Sequence, residues 1–214
     1  MTKNLASVGI ITALALLGAC AKTGEIDSSG GITAARSACP AVAIPASTGD
    51  VTLFNPVNSR DARAIDVVAS ITNLRDTCAD VGSDVSAAAT FEVQARRTSS
   101  VGARDVVLPY FVTIVRGGDT VVAKRLSRVA LHFNEGQLRT TASATGGALI
   151  DRASATLPQD VQDKLQRKRK AADADASIDP LSQPDVRAAV ARVSFEALIG
   201  FQLTPEQLQY NVTR

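Results

Sequence analysis

The chain has 214 residues, with 23 Lys plus Arg against 21 Asp plus Glu and a formal net charge of +2. So small a cationic excess excludes the basic footprint of a nucleic-acid-binding protein, and the length, with no repeat at a solenoid period, fits one domain of ordinary size. Aromatic residues make up 4% and Trp is absent, so a core has to be built from Val, Ile, Leu and Ala.

Residues 1–19 have the three parts of an export signal: Lys3, an apolar run over residues 5–17, and small residues before Cys20. The run is shorter than the roughly 20 apolar residues that a bilayer core requires, so a lasting transmembrane helix is not expected. Its ending, Leu17, Gly18, Ala19 and Cys20, resembles the lipobox of bacterial lipoproteins. The resemblance implies that Cys20 carries a thioether diacylglycerol and an acylated amine, with palmitate among the expected chains, and that no other cofactor is needed. Several acyl chains together hold a protein at a membrane where one alone binds reversibly. Ala21 and Lys22 stand where an Asp after the cysteine would retain such a lipoprotein at the inner membrane, which points to the outer membrane on its periplasmic side.

Residues 20–38 are rich in Gly, Ser, Thr and Ala without an apolar period, and read as a flexible tether spanning roughly 20–25 Å. The two remaining cysteines, Cys39 and Cys78, fit an oxidising compartment and are expected to pair, because a catalytic thiol would need a nearby His. Their bridge would tie the start of the domain to a turn at Cys78.

Within the domain, residues 39–214, short β runs at 41–44, 51–54 and 65–74 are bounded by Pro, Gly or Asn. Over residues 84–96, Val85, Ala87, Ala89, Phe91, Val93 and Ala95 occupy every second position, the mark of a half-buried strand. Residues 105–115 are apolar on both faces, as in a central strand. Arg116, Gly117, Gly118 and Asp119 then make a hairpin turn, since paired glycines supply positive φ. Residues 120–133 return as a long strand or a bent pair, and Asn134, Glu135 and Gly136 turn into a strand at 137–145.

Residues 157–192 are charged, alanine-rich and interrupted by Pro158, Pro180 and Pro184, and read as an insertion. Val161 and Leu165 predict a short amphipathic helix, a second is expected from Pro184, and residues 171–177 have the composition of disorder. A strand follows at 193–201. Thr204, Pro205 and Gln207 spell a capping box with Leu203 and Leu208 as a staple, so a short C-terminal helix closes the chain. The class is therefore all-β: an antiparallel sandwich, immunoglobulin-like or fibronectin-like in arrangement, with a small barrel as the alternative.

Three segments carry a family likeness: Cys39, Pro40, Ala41 and Val42; Leu108, Pro109, Tyr110 and Phe111; and the run from Gly200 through Leu208 to Asn211. They resemble a set of uncharacterised lipoproteins from Gram-negative bacteria. The resemblance spans most of the mature chain and implies domain limits, with no activity attached.

Candidates for chemistry are few. His132 is the only histidine, so histidine triads and two-histidine zinc sites are incomplete within one chain, and between Leu131 and Phe133 it reads as structural. Neither Gly-x-Ser-x-Gly nor Ser-x-x-Lys occurs. Asp173, Asp175 and Asp179 match three positions of a calcium loop, but Ile178 stands at the turn glycine and Pro184 at the bidentate Glu. No metal site and no catalytic residue is therefore expected. The one local charge concentration is Lys164, Arg167, Lys168, Arg169 and Lys170. It is either a solvated helix face balanced by Asp160, Asp163, Asp173 and Asp175, or a contact for an anionic surface worth about 1 kcal/mol per residue. The expected function is a non-catalytic outer-membrane lipoprotein that serves as an interaction or accessory subunit of an envelope assembly. The alternatives are a binding module for a cell-wall or anionic lipid component, and an enzyme of unrecognised type using an Asp, a Glu or Tyr110.

Overall fold

The computed structural model describes residues 38–167, 173–174 and 177–213. The main unit comprises residues 38–165 and 177–213. The export signal, Cys20, residues 21–37 of the tether, Lys168, Arg169, Lys170 and Asp175 lie outside the described residues.

In chain order the strands are β1 (Ala41–Ala43), β2 (Asp50–Phe54), β3 (Ile65–Val81), β4 (Asp84–Arg97), β5 (Arg104–Arg116), β6 (Thr120–Phe133), β7 (Arg139–Asp151) and β8 (Phe195–Phe201). Helices α1 (Gln159–Gln166) and α2 (Pro184–Val193) fall between β7 and β8, and α3 (Pro205–Thr213) follows β8. Two four-stranded sheets form, β1-β8-β5-β6 and β2-β3-β4-β7. Neighbours run antiparallel apart from the parallel pair β1–β8. The architecture is the expected all-β sandwich rather than a barrel.

The alternation in β4 explains how the layers meet. Val85, Ala87, Ala89, Phe91, Val93 and Ala95 are buried, while the residues between them face outward. Val106, Leu108, Tyr110 and Val112 of β5 join Ala89, Phe91, Val93 and Ala95 in one cluster with Leu131, Phe133, Ile199 and Phe201. Phe91 meets Tyr110 edge to face at 5.1 Å, and the Tyr110 hydroxyl donates to the Thr145 carbonyl at 2.8 Å. Tyr110 is thus a core residue whose polar end holds β7. A Cβ on Gly146 would overlap Val112 Cγ2, so this glycine lets β7 approach β5 closely.

Three expectations change. Strand β3 runs on to Val81, so Cys78 lies inside a strand and not in a turn; residues 75–81 are mostly polar and exposed, yet they pair with β4. The Gly146–Gly147 pair does not end β7, which continues to Asp151. Val193 ends α2 instead of opening β8. Residues 120–133 form one strand with a bulge: Ile114 pairs Ala123 and Val115 pairs Val121, which leaves Val122 without an opposite residue.

The 157–192 stretch has a small core of its own, Val161, Val186 and Ala189 with Leu157, Leu165, Leu181 and Val190. Asp179 is consumed as a cap, accepting from the Leu181 N–H at 2.9 Å. The end of α2 meets the β5–β6 turn, where the Gly117 N–H donates to the Ser194 carbonyl at 2.9 Å. The C-terminal capping box is present: the Thr204 N–H donates to Gln207 Oε1 at 2.9 Å and the Gln207 N–H to Thr204 Oγ1 at 3.3 Å. From α3, Asn211 Nδ2 donates to the carbonyls of Ser47 and Asp50.

Arg97 is the feature that sequence reading missed. It continues the inward parity of β4, opposite Val67, and is 3% exposed. Its guanidinium donates to four carbonyls: Gln137 at 2.7 Å, Gly102 at 2.7 Å, Ser100 at 3.0 Å and Asn134 at 2.9 Å. It also sits 5.2 Å from the Phe133 ring centroid. These carbonyls belong to the β4–β5 and β6–β7 connections, both of which cross from one sheet to the other. Replacing Arg97 with Ala should lower unfolding stability by about 3–5 kcal/mol, and Lys, lacking the planar fork, should recover less than half. Urea unfolding of the three proteins measures both effects.

Candidate functional site

The Cys39–Cys78 disulfide has a Cα separation of 5.9 Å and closes 39 residues of sequence. Cys39 lies two residues ahead of β1, and Cys78 is on β3 of the opposite sheet. The bridge therefore fastens the two sheets where the shortest strand contributes only Ala41–Ala43.

His132 faces outward on β6, opposite Asp105 of β5. Its Nδ1 lies 2.7 Å from Asp105 Oδ1 and its Nε2 3.2 Å from Asn134 Oδ1, so both ring nitrogens are engaged. The hydrogen bond to Asp105, and then its negative charge, hold the imidazole pKa above 6.5. Both contacts stabilise the protonated ring relative to the neutral one.

A groove of about 790 Å³ runs between β2, the following loop and the start of α3, lined in part by Phe54, Arg60, Asp66, Arg104 and Glu206. Arg104 binds Asp66 through both carboxylate oxygens, each at 2.7 Å, and this contact raises the guanidinium pKa. Arg60 lies 5.0 Å over the Phe54 ring. A backbone N–H and the Thr204 hydroxyl hold the Glu206 carboxyl below its usual range. The groove thus pairs one carboxylate with an arginine and keeps the other ionised, an arrangement unsuited to a proton donor. Among the described residues no group of three or more His, Cys, Asp or Glu is placed to hold a metal ion. No described helix is long and apolar enough to cross a membrane.

Of the five cations between 164 and 170, Lys164 and Arg167 are described. Lys164 Nζ lies 3.1 Å from Asp185 Oδ2, joining α1 to α2, and its hydrogen bond is the main cause that lowers the Asp185 pKa. Lys164 is therefore committed to a carboxylate on the neighbouring helix.

The most exposed ordered element is the first part of β6. Residues 120–128 are exposed at every position, although they alternate faces. Register places Lys124, Leu126 and Arg128 on the outer face, opposite Thr113, Phe111 and Pro109, and Ala123, Arg125 and Ser127 on the inner face, opposite Ile114, Val112 and Tyr110. Opposite residues 123–127, β7 reaches β5, through Gly146 on Val112 and Thr145 on Tyr110, while Ala123, Arg125 and Ser127 stay exposed. Leu126 is 64% exposed, and Val107, on the same face of β5, is 54% exposed. Lys124 Nζ sits 5.2 Å over the Phe111 ring. Strand β6 is also the edge of its sheet. Sequence reading missed this site because Val121, Val122 and Leu126 look like core residues.

Fold and site together define a disulfide-bonded β-sandwich with an uncovered cationic edge. No family model, curated protein or solved structure matches the chain.

Converting both Cys39 and Cys78 to Ala should lower stability by about 4 kcal/mol in the chain-entropy account, read by urea unfolding with and without reductant. For His132, the native pKa is raised, so its stabilising contribution is complete below about pH 6.5 and fades as pH rises through the higher native value. Proton NMR should give a His132 midpoint above that of a free histidine, and Asp105→Asn should bring it down.

Proposed function

We propose that the protein is an exported lipoprotein, held by acyl groups on Cys20 at the periplasmic side of the outer membrane, and that its sandwich serves as a non-catalytic interaction subunit of an envelope assembly. The observation that carries the role is β6, a strand fastened along one edge with both faces open over residues 120–128. Exposed apolar side chains close together, here Val121, Val122 and Leu126, mark an interaction surface. The Cys39–Cys78 bridge supports an oxidising compartment, as expected of a chain that passes through an export signal. A role without catalysis is supported by the state of the notable polar groups: Arg97, Tyr110, His132 and the Asp66–Arg104 pair are each spent on internal bonds.

The second reading, a binding module for a cell-wall or anionic lipid component through Lys164–Lys170, has less support, because Lys164 is paired with Asp185. The test has two parts. Intact-mass analysis of the mature protein should find the chain beginning at Cys20 with diacylglyceryl and acyl additions; an unmodified cysteine or a retained leader would remove the anchor. Crosslinking in intact envelopes should give a discrete protein adduct, and its absence would remove the interaction role.

A further inference from the structure

The free edge of β6 has a defined length and charge. Between the bulge at Val122 and the point where the sandwich closes at Val129, residues 123–128 form a regular edge with no strand beyond them. An edge of this kind presents alternate backbone N–H and C=O groups that another strand can pair. Three of the six side chains are cationic, Lys124, Arg125 and Arg128, and no acidic residue occurs in Thr120–Phe133. Among the described residues none of the three has a salt-bridge partner.

We propose that this edge accepts an extra β-strand from an extended, acidic segment of a partner protein, with carboxylates facing Lys124 and Arg128 on one side and Arg125 on the other. The proposal rests on the interaction role given above and names the chemistry of the partner. Charge disfavours a second copy of this chain as the occupant. Antiparallel pairing of two β6 strands about Leu126 would set Lys124 against Arg128 and Arg125 against Ser127, placing all six cations within one short ladder, and like charges opposite one another destabilise it. An acidic strand meets the same side chains favourably, which is how one edge resists its own copy and admits another sequence. Geometry disfavours an anionic membrane surface. The cations lie on both faces of the ribbon, a plane touches one face only, and headgroups offer no donors in register with the β6 carbonyls. Strand addition uses both faces and the edge at once.

The test uses the full-length protein in the envelope of its source cells, with a photo-crosslinking amino acid in place of Leu126 on one face or Ser127 on the other. Val57 and Val101, exposed elsewhere, serve as comparison positions. The expected result is one protein adduct shared by positions 126 and 127, whose crosslinked peptide carries several Asp or Glu residues. Lys124→Glu, Arg125→Glu and Arg128→Glu together should reduce that adduct by about tenfold or more, while Arg125→Lys with Arg128→Lys retains it. Unchanged protein level and disulfide content in the reversed variant exclude misfolding as the cause. Adducts to phospholipid only, to a second copy, or to a peptide without acidic residues would overturn the proposal, as would equal yields from the charge-reversed protein. Adducts at 57 or 101 with none at 126 and 127 would remove the edge and leave the interaction role standing; no protein adduct at any of the four positions would remove both.

Discussion

A guanidinium placed where an apolar side chain would ordinarily close the core organises one end of this sandwich. Arg97 belongs to the inward row of β4, and desolvating its charge is tolerable only because carbonyls from two connections converge on it and the Phe133 ring lies beside it. Both connections pass between the sheets. This side chain and the backbone bond from the Gly136 N–H to the Ser100 carbonyl at 3.0 Å together tie the two connections to each other beside the Asn134 end of β6. From Thr120 to Arg128 every residue is exposed, so a single strand grades from uncovered to half-buried along its length.

The other end of the sandwich is closed by different means. There the disulfide joins β1 to β3, and α2 meets the β5–β6 turn through Gly117, whose φ of +68° suits a hairpin and whose missing side chain admits the Ala191 carbonyl. The helical stretch before β8 is not a loose decoration, since it has a core around Val186 and an ion pair between α1 and α2.

Local signals in the sequence were readable and distant ones were not. The parity of β4, the place of β5 between two neighbours, the glycines at 117 and 118 and the Thr204–Gln207 box each depend on a few adjacent residues, and each appears in the fold, although β5 is buried on both faces only over residues 112–115. Strand order depends on pairing between remote segments, so the parallel contact of β1 with β8 had no local sign. The distal half of β3 was hidden by Arg75, Asp76, Thr77 and Asp80, polar residues suited to an exposed ribbon. Arg97 was legible in principle, because extending the alternation by one step places it inward, but a charged residue before a loop is habitually assigned to the surface. The openness of β6 depends on where the opposite sheet ends, a quantity that no pattern within residues 120–128 encodes.

The position of Cys39 has a mechanical consequence. It stands just ahead of β1, whose three residues pair with β8 alone, a contact that tension along the chain would peel apart readily. Because Cys39 is covalently joined to Cys78, a pull from the N-terminal side reaches β3 before it reaches β1. The load is then shared along the β3–β4 ladder, and the short strand is relieved of it.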